Sequence, residues 1–140
     1  MSKTLDAQHG IVCRMPNETF GYFGWPSVAL MDDGTLVAAS SGLRTAHVCP
    51  FGKTVLNTST DNGLTWSEPR VIQDSMIDDR DAGIVSLGDG KLLATWFRTD
   101  TRQYGIPEHA PENDRQLSEQ AFAQWTDDEV AERVRSWVML

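Results

Sequence analysis

Four consecutive residues, Asp78-Asp79-Arg80-Asp81, set three carboxylates around one guanidinium. Such a cluster can satisfy itself as an ion-pair network, or it can hold a polar ligand such as a sugar. Carboxylates this close also raise the question of a cation. Consecutive residues along an extended strand point to opposite faces, however, so no metal site is expected. A second stretch, Ser41-Gly42-Leu43-Arg44-Thr45-Ala46-His47, joins a guanidinium to an imidazole. The first can grip a carboxylate through a bidentate fork, and the second is a candidate proton donor, although His47 reads more readily as an ordinary loop histidine. A third, Gly21-Tyr22-Phe23-Gly24-Trp25-Pro26, offers aromatic faces, among them an indole at Trp25 able to stack on a sugar ring.

The elements around these stretches read as strands. Trp25–Met31, the turn Asp32-Asp33-Gly34 and Thr35–Ser41 predict a β-hairpin, since β-rich runs flank a glycine turn. Lys53–Ser59 and Arg70–Gln73 add two more strands, and four strands in meander order make one propeller blade. Gly83–Leu87, the turn Gly88-Asp89-Gly90 and Lys91–Phe97 then repeat the hairpin. Gly34-Thr35-Leu36 recurs as Gly90-Lys91-Leu92, a period of 56 residues, which independently points to a propeller. In such a fold ligands sit on the axis, at the innermost strands and their loops, where the three stretches above fall.

The second unit is interrupted. Residues 98–115 read as a loop, and Ser118 and Thr126 as helix N-caps, with Thr126-Asp127-Asp128-Glu129 fitting a capping box. Two short helices are expected, about 118–125 and 127–133, burying Ala121, Phe122, Trp125, Val130 and Val134. Ser136–Leu140 reads as the third strand of the second blade, and Ile11-Val12-Cys13 as a strand of a neighbouring or closing blade.

Between the third and fourth strands lies Ser59-Thr60-Asp61-Asn62-Gly63-Leu64-Thr65-Trp66. Ser59 and Asp61 can fold back onto backbone N–H groups, Gly63 can take the positive φ of a tight reversal, and Trp66 can anchor the turn. The segment fills every position of S-x-D-x-G-x-T-W and so resembles the Asp-box, or BNR repeat, of the sialidase (neuraminidase) superfamily. In that family the box is a structural turn away from the catalytic pocket, so Ser59, Asp61, Gly63, Thr65 and Trp66 carry a structural role by resemblance.

The resemblance implies an all-β fold: about two four-stranded antiparallel blades of a six-bladed propeller, with a short helical insertion. The expected division is an N-terminal segment over 1–19 and a partial propeller over 20–140. Residues 20–75 form one blade, and 78–140 form an incomplete second blade with its insertion at 98–133. It also implies a glycoside hydrolase acting on a glycan, without a cofactor. Arg44 resembles a family arginine that follows the second strand, and Asp81 resembles an aspartate that contacts the sugar. Arg80 and Trp25 join Arg44 as candidate substrate-binding residues, while His47, Asp79 and Asp81 are candidate proton donors. Where the family has an Arg-Ile-Pro segment, this chain has Gly24-Trp25-Pro26, so one carboxylate-gripping arginine is replaced. The family's tyrosine, glutamate and remaining arginines belong to later blades, which 140 residues do not supply. The expectation is therefore a fragment, inactive by itself, with two alternatives: a non-catalytic carbohydrate-binding propeller, or a scaffold that self-assembles through its open blade edges.

Composition narrows the partners. Twenty acidic and twelve basic residues give a formal charge of −8, which argues against nucleic acid or an anionic membrane surface. Between Pro107 and Arg135 eight acidic residues face three arginines, so much of that charge lies in the insertion. Cys13 and Cys49 have no metal or disulfide spacing and are expected as free thiols. No secretory h-region and no long apolar run is present, so a soluble, cytoplasmic protein is expected.

Overall fold

The computed structural model describes residues 7–140, so part of the 1–19 segment, residues 1–6, lies outside it. The described chain is mostly β, built from two antiparallel sheets. The first holds β1 (Tyr22–Leu30), β2 (Leu36–Arg44), β3 (Lys53–Ser59) and β4 (Arg70–Gln73), hydrogen-bonded in that order. The second holds β5 (Asp78–Gly88), β6 (Lys91–Thr99) and β7 (Ser136–Met139), again in chain order. Among the described residues, no helix is long and apolar enough to cross a membrane.

Turn chemistry explains the hairpins. Gly34, at φ 87°, closes the β1–β2 turn with its N–H on Met31 O, while Asp33 Oδ1 accepts from Thr35 N at 2.9 Å. Gly88, Asp89 and Gly90 all take positive φ between β5 and β6, a conformation that glycine and aspartate tolerate. Residues 59–66 form the expected self-bonded turn. Asp61 Oδ1 accepts from Ser59 Oγ and Thr65 N, Asp61 Oδ2 accepts from Thr65 Oγ1, and Ser59 Oγ accepts from Gly63 N. The Trp66 indole N–H closes it on Gly63 O at 3.2 Å. These hydrogen bonds hold the Asp61 carboxyl down at a pKa of about 2, those from Thr65 most strongly.

The two sheets pack against each other through β5. Ala29, Val37 and Ala39 are buried in the first, and Ala82, Ala94 and Trp96 in the second. Strand β5 packs on β1, β2 and β3, and two serine hydroxyls of the first sheet accept from its backbone: Ser27 Oγ from Ile84 N at 3.2 Å and Ser41 Oγ from Asp81 N at 2.7 Å.

Between β6 and β7 come a 3-10 turn (Thr101–Tyr104), α1 (Glu112–Gln124) and α2 (Asp127–Arg133). Ala121, Trp125 and Val130 bury with Ile77 in a small core against Phe51 and Met76, with Phe122 packed beside it. Arg102 fastens this insertion, gripping Asp100 through both carboxylate oxygens and reaching Asp127 at 3.0 Å. The capping box at Thr126 and Glu129 is present.

Several expectations change. Helix α1 starts at Glu112, with Pro111 as N-cap and Glu112 and Asp114 in its first turn, and Ser118 is a buried residue inside the helix. The first-turn acids favour that earlier start over a serine cap, and Pro111, which has no N–H to satisfy, stands just ahead of them. Val134 is exposed, because the chain has already left α2. Ile11-Val12-Cys13 forms no strand. Val12 and Cys13 instead lie beside Phe23, Pro26 and Ala38 in the wall of a cavity of about 230 Å³. Both cysteines are free, Cys49 being buried.

Candidate functional site

The acidic run expected to precede an inner strand is itself strand. Asp78, Asp79 and Arg80 pair with Thr99, Arg98 and Phe97, so β5 starts five residues before Gly83. Likewise β1 begins at Tyr22, paired with Arg44 at the end of β2. Both β1 and β5 lose register after entering their sheets, between Gly24 and Ser27 in β1 and between Arg80 and Gly83 in β5. At each bulge one residue takes left-handed φ: Trp25 at 52° and Asp81 at 55°. These two are one repeat period apart, so the 56-residue repeat extends to backbone geometry. For a residue as bulky as tryptophan this conformation costs about 1–3 kcal/mol, a cost that marks positions aimed at something.

What they aim at is Arg80. Its guanidinium carbon lies 4.8 Å from the centroid of the Trp25 ring and 5.9 Å from that of Phe97, and its Nε lies 3.5 Å from Asp81 Oδ1. Arg80 is only 8% exposed, yet its buried Nε has no hydrogen-bond partner among the described residues. Its approach to Asp78, at 3.6 Å, is also beyond hydrogen-bond distance. Around it stand His47, whose ring meets the Trp25 ring edge-on at 4.9 Å, and Tyr22, 6.2 Å from Trp25 between centroids. His47, Tyr22 and the Asp81 side chain reach solvent. The rim therefore presents aromatic rings and one accessible carboxylate, with the nearly buried Arg80 guanidinium behind them, 3.5 Å from Asp81 and 3.6 Å from Asp78.

The other candidates are committed elsewhere. Arg44 is fully buried. Its Nη1 and Nη2 grip both oxygens of Asp78 at 2.6 and 2.9 Å, and Nη2 and Nε also donate to the carbonyls of His47 and Ala46. Burial pushes the Asp78 carboxyl above its ordinary pKa, while the hydrogen bonds and charge of Arg44 oppose the rise. A Cβ added at Gly52 would lie about 2.0 Å from Arg44 Nη1, so only glycine allows the backbone to pass this pair. Asp79, also fully buried, accepts from Arg98 Nε at 2.9 Å and from Ser75 N at 2.6 Å. Asp78 and Asp79 thus diverge to separate arginines. Among the described residues no group of three or more His, Cys, Asp or Glu side chains is placed to hold a metal.

The structure accordingly brings Trp25, His47, Arg80 and Asp81 together at the rim. It sets Arg44 and Asp79 beneath, as buried ion pairs, and the 59–66 turn carries its own bonding apart from them. Tyr22, Gly52 and Arg98 were not singled out from the sequence. Tyr22 lies in a stretch that was, whereas Arg98 and Gly52 matter only through partners distant along the chain.

Comparison with protein-family models and with curated proteins finds no match for this chain.

Proposed function

We propose that this chain is part of a sialidase-like, Asp-box β-propeller, two consecutive blades of it, and that the rim around Arg80 binds the acidic sugar of a glycan. The observation that carries the reading is the Arg80 guanidinium, set beside the Trp25 and Phe97 rings near two strained bulges, whose Nε makes no hydrogen bond and meets Asp81 only at 3.5 Å. A sugar carboxylate is planar and anionic, and it would supply the hydrogen bonds the guanidinium lacks. Trp25 offers a ring face for the pyranose, and Asp81 a carboxylate for its hydroxyls or for proton transfer. The repeat supports the propeller, since sheets of one meander order stack at their inner strands.

Hydrolysis needs two groups on opposite sides of the scissile bond. With Asp79 bonded to Arg98 in the interior, Asp81 and His47 are the titratable candidates at the rim. That favours a division of labour in which these residues bind and orient the sugar and the remaining catalytic groups belong to further blades. The same geometry suits a second reading, a carbohydrate-binding propeller without turnover.

The test is calorimetric titration with N-acetylneuraminic acid and, in parallel, with neutral galactose, alongside an aryl sialoside hydrolysis assay. The acidic sugar should bind preferentially, and Arg80→Met should weaken it by about 10–100-fold, the value of a charge-assisted hydrogen bond. Equal binding of both sugars, or an Arg80→Met variant that binds normally, would reject the assignment. Turnover by the chain itself would favour the hydrolase over the binding module.

A further inference from the structure

Tyr22 opens β1, and its neighbours in sequence fix where it stands. The chain reaches it through Gly21, where a Cβ would collide with the backbone carbonyls of Met15 and Glu18. Its backbone is paired with Arg44 at the end of β2. Next comes Phe23, whose ring lies so close to Gly42 that a Cβ there would be 2.6 Å from it, and which also walls the cavity beside Val12 and Cys13. Successive residues of a strand point to opposite faces, so anchoring Phe23 on that side turns Tyr22 to the other. There the phenol lies over Gly24: a Cβ on Gly24 would be 3.4 Å from Tyr22 Cε1 and 3.8 Å from its hydroxyl oxygen. Any side chain at 24 longer than a methyl would meet the ring.

Tyr22 is therefore both accessible and held. It is 38% exposed, with its ring centroid 6.2 Å from that of Trp25 and tilted 52° to it. Trp25 in turn meets the His47 ring and the Arg80 guanidinium, so the phenol flanks the same rim. Its chemistry differs from that of its neighbours. A phenol is uncharged at neutral pH and can both donate and accept a hydrogen bond, which suits a sugar hydroxyl, whereas a guanidinium suits a carboxylate.

We infer that Tyr22 is a specificity-determining contact of this site, its hydroxyl bonding to a hydroxyl of the sugar whose carboxylate meets Arg80 and whose ring lies on Trp25. This rests on the reading of the rim as an acidic-sugar site, and it adds the group that tells one hydroxyl pattern from another. A cation alone accepts any carboxylate that fits, but a site built to hydrogen-bond a hydroxyl rejects the analogue that lacks it. The competing role for Tyr22 is to prop Trp25 by ring contact, and phenylalanine would serve that equally well.

Calorimetric titration with N-acetylneuraminic acid and a set of its monodeoxy analogues separates the two. Tyr22→Phe should keep the wild-type melting temperature and weaken N-acetylneuraminic acid about 3–10-fold. One monodeoxy analogue should bind the wild-type protein more weakly by a similar factor and bind wild type and variant equally, while the others keep the full difference. A Tyr22→Phe variant that binds every sugar as the wild type does would overturn the inference. So would an equal loss for every analogue, since that pattern belongs to a displaced ring and not to a lost contact. Wild-type protein that binds no acidic sugar would reject the reading of the rim and this inference with it. Binding that depends on Arg80 but not on the Tyr22 hydroxyl would reject this inference alone.

Discussion

At the scale of single residues, two arginines near the same rim have opposite chemistry, and the difference lies in their partners. Arg44 is bound bidentately to Asp78 with both side chains fully buried, so removing its charge strands a carboxylate in the interior. Arg44→Met should cost about 3–5 kcal/mol in urea unfolding, and Arg44→Met with Asp78→Leu should recover much of that loss. Arg80→Met removes a guanidinium that meets Asp78 and Asp81 only at 3.6 and 3.5 Å, and should lower the urea midpoint by less than Arg44→Met does. Asp61 supplies a pH prediction. Its folded pKa of about 2 lies below the 3.8 of an ordinary aspartate, so its contribution to stability is complete above about pH 4 and disappears as pH falls through 2. A carbon-detected NMR titration of Asp61 should show that low midpoint, and Thr65→Val should move it upward. A midpoint near 4 in the wild type would mean that the turn's hydrogen bonds do not form in solution.

At the scale of elements, much was legible because its signals are local. The two hairpins, the 59–66 turn, the capping box and the last strand each follow from residues within a few positions of one another. Thr126→Ala should accordingly cost about 1 kcal/mol and loosen α2 first, as read by amide exchange. The bulges were not legible, since nothing in the residue type of Trp25 announces a left-handed φ, and only its 56-residue spacing from Asp81 connects them. The choice between Arg44 and Arg80 was equally hidden, because it turns on a pairing across 34 residues with Asp78. The early start of α1 lay in Pro111, read as part of a loop. Gly52 is the sharpest element-level test: the backbone crosses Arg44 and Asp78 where a Cβ would collide with both. Gly52→Ala should destabilise by about 1–3 kcal/mol, as overpacking in a tight core does. A neutral result would mean that the loop before β3 can move away.

At the scale of the whole molecule, two antiparallel sheets pack through β5 on β1, β2 and β3, and the ends of β1, β2 and β5 meet at one rim. The 56-residue repeat sets Trp25 and Asp81 at matching bulges beside that rim. Asp81→Asn, which keeps a residue tolerant of left-handed φ, should preserve the fold and the sugar's carboxylate contact while removing any proton-transfer role. Carboxylate binding at Arg80, as proposed, can be followed through the Arg80 Nε–H and Trp25 indole N–H resonances in a titration with N-acetylneuraminic acid. A saturable downfield shift of the Arg80 signal together with movement of the Trp25 signal is expected, with no such change with galactose. An Arg80 resonance that stays in place while the acidic sugar binds elsewhere, or does not bind at all, would contradict it.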